Sequence, residues 1–72
     1  MRKTVTLLAY QPHGTRSAVC IELHYRGRIV WEVAGPLGDR QRIIETAHDN
    51  ARKKGFTHVR RFGESVVTKL GQ

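Results

Sequence analysis

The chain has one cysteine, two prolines, one tryptophan and only six acidic side chains among its 72 residues. A lone thiol at Cys20 excludes an internal disulfide and suits a reducing compartment, so a cytoplasmic location is expected. No apolar run approaches the roughly 18 residues needed to cross a bilayer. The longest, at residues 28–37, is broken by Glu32, and no membrane partner is expected. The basic start Met1-Arg2-Lys3 resembles the head of a secretory signal, but the apolar stretch at 5–10 is too short and has no small-residue cleavage pattern.

Further absences bear on chemistry. The histidines His13, His24, His48 and His58 have no metal-ligand spacing with one another or with Cys20, so no metal is expected. A glycine-rich phosphate loop, a Ser or Cys nucleophile motif and paired carboxylates in an apolar setting are all missing. The expectation is a binding protein without a cofactor, not an enzyme. The scarcity of acid also excludes an acidic mimic of nucleic acid.

What is present is base. Thirteen Lys and Arg against six Asp and Glu give a formal charge of +7, and nine of the thirteen are Arg. The planar guanidinium pairs bidentately with phosphates and guanine edges, so this field favours a polyanion. A chain this short builds one core, and residues 1–72 are expected to form a single small domain.

Residues 3–10 are rich in β-branched and apolar types and read as a first strand, closed by the turn formers of 11–15. Residues 17–24 alternate Val19, Ile21 and Leu23 inward with Ala18, Cys20, Glu22 and His24 outward. A third strand at 28–34 points Ile29, Trp31 and Val33 inward. A two-residue turn at Arg26-Gly27 would set Ile21 opposite Glu32 on the core face, so a three-residue loop, Tyr25-Arg26-Gly27, is expected, with Leu23 facing Ile29 and Gly27 left-handed. Tyr25 and Arg26 would then stand at an exposed tip.

After Gly35-Pro36-Leu37-Gly38, Asp39 is the expected N-cap of a helix over 40–54, with Ile43, Ile44, Ala47 and Ala51 on one apolar stripe. Asp49 and Lys53 form an i,i+4 pair on its outer face, where charges of both signs mix. Gly55 stops the helix, and Phe56 folds back on Ala51. Residues 57–62 and 65–70 read as a last hairpin turning at Gly63-Glu64 in a type II′ turn. One of its faces carries Val59, Val66 and Leu70, the other His58, Arg60, Phe62, Val67 and Lys69, while Arg61 falls on the core side. The expected fold is α+β: an antiparallel three-stranded meander, one helix packed on one sheet face, then a C-terminal strand or hairpin. The other sheet face has nothing to cover it and must meet solvent, a partner or a second copy, as in a homodimer.

Cations coincide with rings in two places. The first hairpin offers His24, Tyr25, Arg26 and Arg28, and the last offers His58, Arg60, Phe62 and Lys69. Rings that stack on bases beside cations that hold phosphates are the chemistry of sheet-based nucleic-acid readers. The leading expectation is therefore a nucleic-acid-binding accessory or regulatory protein, DNA or RNA. The alternative is a protein-binding inhibitor or adaptor of the kind mobile elements and phages encode.

The segment Gly55-Phe56-Thr57-His58-Val59-Arg60-Arg61-Phe62 resembles the glycine, Ser/Thr, histidine stretch of small ribonuclease toxins of the HicA type. The resemblance covers eight residues and implies RNA cleavage through a strand-borne His58. That family begins with a helix, whereas here three strands come first, so only His58 is carried over.

Overall fold

The structure is a computed structural model, and it describes residues 1–71. Five strands and one helix follow the α+β order expected: β1 (Thr4–Tyr10), β2 (Ala18–Tyr25), β3 (Arg28–Pro36), α1 (Arg40–Lys53), β4 (His58–Arg61) and β5 (Val67–Lys69). The first three strands form the antiparallel meander. The helix then carries the chain back across the sheet, and β4 adds parallel to β1, giving the order β3-β2-β1-β4-β5. This direction follows from counting: strands alternate, the helix reverses β3, and β4 therefore runs with β1. Thr57 secures the junction, its backbone N–H donating to the Lys3 carbonyl at 2.9 Å and its Oγ1 accepting from the Lys3 N–H at 2.8 Å.

One sheet face and the apolar stripe of α1 make the core: Val5, Leu7, Val19, Ile21, Leu23, Ile44, Ala47, Ala51, Phe56, Val59 and Leu70. Alanine at 47 and 51, both fully buried, presents no side chain large enough to hold the helix off the strands. The helix ends as expected. Gly55 is left-handed at φ 92°, and the Phe56 N–H donates to the Ala51 carbonyl while the Gly55 N–H donates to that of Arg52, both at 3.0 Å.

The structure corrects several local expectations. The first hairpin turns on two residues, Arg26 at φ 52° and Gly27 at φ 78°, with Tyr25 paired to Arg28. Two successive left-handed residues match the twist of a hairpin better than the three-residue loop. Facing is rescued by a β-bulge: His24 pairs with Ile29 and Leu23 with Trp31, so Val30 is the extra residue, and Ile21 meets Val33 rather than Glu32. In consequence Ile29 is 48% exposed instead of inward, and Trp31 is half-buried on the edge strand.

Asp39 makes no side-chain cap, because a 3-10 turn at Leu37–Asp39 leads directly into the helix. That turn is anchored by the Leu37 N–H on the Ser17 carbonyl at 2.8 Å. Asp49 pairs with Arg52, one turn away at i,i+3, rather than with Lys53. The last hairpin has a wider loop than a II′ turn: the Glu64 N–H bonds the Arg61 carbonyl at 3.0 Å with Gly63 left-handed in the third position, where a type II turn needs it. Val66 is released from the core and is exposed. No helix among the described residues is long and apolar enough to cross a membrane.

Candidate nucleic-acid interface

The helix covers one face of the sheet, and the opposite face is open. Of the eight residues singled out by sequence, five share this open face. His58 pairs with Lys69 and Arg60 with Val67 across β4 and β5, and on the other side Thr4 faces His58 and Thr6 faces Arg60. Thr6 in turn faces His24 of β2, so the two ends of the chain and the first hairpin meet across β1. Around this meeting point Thr6, Leu8, His24, Arg60 and Phe62 line a shallow depression of about 230 Å³. Small-molecule sites are usually enclosed and about 300–1,000 Å³, so this one suits an extended ligand lying on the surface.

Arg60 is held flat over the strands, donating from Nη1 to the Glu64 carbonyl at 3.1 Å and from Nη2 to Thr6 Oγ1 at 3.5 Å. Phe62, just past the end of β4, is 69% exposed beside it. His58 shares a hydrogen bond with Thr57 Oγ1 at 2.8 Å. Burial against the sheet, with Arg2 and Lys69 nearby, holds its pKa below the ordinary value.

The remaining three residues lie elsewhere. Tyr25 turns to the helix side of the sheet and packs its ring on Phe56, with the cations of Lys3 and Arg26 at 5.3 and 5.4 Å from its centroid. Arg26 and Arg28 project from the turn and are exposed. Tyr25 continues the inward alternation of Val19, Ile21 and Leu23 along β2, and the two-residue turn, which residue alternation does not show, leaves Arg26 and Arg28 at the tip.

The open face is divided by charge. Over β2 and β3 it carries Glu22 directly opposite Glu32, with Tyr10, Cys20 and Ala34 alongside. Glu22 accepts from the Tyr10 hydroxyl at 2.8 Å and lies 2.7 Å from His24 Nε2. These two hydrogen bonds hold its carboxyl below its ordinary pKa, and the bond to Glu22 pushes the Tyr10 phenol up to about 12. Over β4 and β5 the charges are all positive: His58 when protonated, Arg60 and Lys69. Glu22 is thus held within the acidic half, while in the basic half Lys69 is exposed and Arg60 is braced by the Glu64 carbonyl and Thr6.

Sequence reasoning missed Thr6 and Leu8, which complete the depression only because β4 docks on β1. It also missed Arg40 and Arg61. The placing of Arg61 on the core side of the last hairpin was the available signal, and it is real: the residue reaches the helix side near His48. Among the described residues no group of three His, Cys, Asp or Glu side chains could hold a metal. Compared with known protein families, curated proteins and solved structures, the chain matches none.

Proposed function

We propose that the protein binds nucleic acid through the basic half of its open sheet face, with Arg60, Lys69 and His58 toward phosphates and Phe62 and His24 toward bases. The observation that carries this reading is the exposed Phe62 ring beside Arg60 on a sheet face with no helix over it. The acidic pair Glu22 and Glu32 lies over the other half of the face and sets a boundary to any polyanion. Arg26 and Arg28 at the turn extend the positive field without a free ring beside them.

Fluorescence anisotropy with labelled single-stranded DNA, single-stranded RNA and duplex, over a salt series, tests the reading. The logarithm of the affinity should fall linearly with that of salt, and Arg60→Gln or Lys69→Gln should each flatten the slope by about 0.7 to 0.9. Absence of binding near physiological salt sinks the proposal.

The second reading, a protein-binding adaptor, draws on a different feature. Phe62 and Val66 leave two large apolar side chains, 69% and 68% exposed, in one short loop. A partner held there would be lost in Phe62→Ala yet retained at high salt, the reverse of the polyanion pattern.

A further inference from the structure

The open-face reading does not use Arg40 or Arg61. Arg60 and Arg61 are consecutive in β4, and pleating sends their side chains to opposite faces. Arg61 approaches α1, where its charge and that of Arg52 add to burial in lowering the pKa of His48. A second depression of about 230 Å³ opens there, at the ends of β1 and β4, lined by Arg40, Arg61, Glu64 and Phe62 among others. Arg40 opens the helix. Among the described residues neither Arg40 nor Arg61 has a carboxylate within 4.0 Å, although Glu64 lines the same hollow. Phe62 and Leu8 border both depressions, so the two hollows are contiguous and the ring stands between them.

We infer that Arg40 and Arg61 form a phosphate subsite for single-stranded nucleic acid, next to a base subsite on the Phe62 ring. This rests on the nucleic-acid reading of the open face and deepens it. Two guanidinium groups that line one hollow without a carboxylate partner offer forked donors to a phosphate, and their two charges outweigh the single charge of Glu64. The strand would run along the basic half of the open face and cross the end of β4 at Phe62, setting its backbone between Arg61 and Arg40. Only an unpaired base can lie flat on the ring, because a duplex keeps its bases stacked on each other.

The test measures anisotropy over a salt series with a labelled single strand, the same strand carrying abasic positions, and a duplex. Arg40→Gln and Arg61→Gln should each flatten the single-strand salt slope by about 0.7, and Arg42→Gln on the outer helix face should leave it unchanged. Arg61→Lys, which keeps the charge, should restore the slope and so separates phosphate contact from lost packing. Phe62→Ala should weaken the intact strand about fivefold to a hundredfold and the abasic strand hardly at all. Wild-type slopes in both Gln variants, with a reduced slope in Arg60→Gln, overturn the phosphate subsite and leave the open-face reading standing. Equal affinity for intact, abasic and duplex ligands overturns the base subsite. Failure of the wild-type protein to bind any of the three removes both.

Discussion

Tyr25 and Phe56 meet edge to face, with ring centroids 5.0 Å apart and planes at 69°, at the end of the core where the first hairpin passes the helix C-terminus. Lys3 lies over the Phe56 ring at 4.8 Å and adds a cation–π contact. A ring engaged in this way serves folding. Tyr25→Ala should lower stability by about 2 kcal/mol, from lost apolar area and the lost aromatic pair. Urea midpoints give the cost, and the salt slope of any nucleic-acid binding should stay as in the parent.

Core depth, more than side-chain size, ranks the next pair. Leu23 has no exposed surface, whereas its cross-strand neighbour Trp31 is half-buried on the edge strand. Leu23→Ala should cost about 3 kcal/mol and Trp31→Ala less, despite the larger side chain. Thermal melts of the two variants compare them directly, and the reverse ranking would mean that the sheet edge at β3 is covered in solution.

The Tyr10, Glu22 and His24 cluster sets a pH dependence at both ends. The folded pKa of Glu22 lies below its unfolded value, so its contribution is present above the ordinary carboxylate range and lost as pH falls through the folded value. The phenol of Tyr10 is raised instead, from 10.0 to about 12, so its contribution is present below 10.0 and lost as pH rises toward 12. Glu22→Gln should flatten the acid limb of the stability curve and move the late phenolate step, read by ultraviolet absorbance, back toward 10.0. An unchanged titration in that variant would separate Tyr10 from Glu22.

Val30 is the extra residue of the bulge, and its removal should leave the pairing of Leu23 with Trp31 and Ile21 with Val33 intact. The deletion variant should fold, at a cost of about 1 kcal/mol for the packing of a half-buried Val. It should also aggregate more readily, since the bulge disrupts an edge strand that could otherwise pair with another chain. Deleting Glu32 instead shifts every later residue of β3 to the other face and should prevent folding. Circular dichroism of the two deletions decides between these outcomes.

Much of the fold was legible because periodicity and punctuation are local. Val19, Ile21 and Leu23 alternate, Ile44, Ala47 and Ala51 recur at helical spacing, and Gly55 marks the helix end. The inward assignment of Ile29 failed because a bulge changes parity without changing composition. The rejected two-residue turn was the right one, and the charge it would have buried was removed by Val30. The Asp39 cap failed for a related reason: the 3-10 turn before the helix depends on Leu37 reaching Ser17, a contact across the sheet.

The sequence alone determined the kind of elements, the meander, the covering helix and the bare sheet face, because each follows from which residues avoid water at a strand or helix period, and it left the C-terminal part as a strand or a hairpin. It also determined that cations exceed anions and that rings accompany them. The tertiary structure alone decided which of those residues meet. His24 and Arg60 are 36 positions apart and share a depression only because β4 docks beside β1. Arg61 and Arg40 line one hollow because strand order brings the ends of β1 and β4 to the start of the helix, and that order is set by long-range packing that local sequence does not encode.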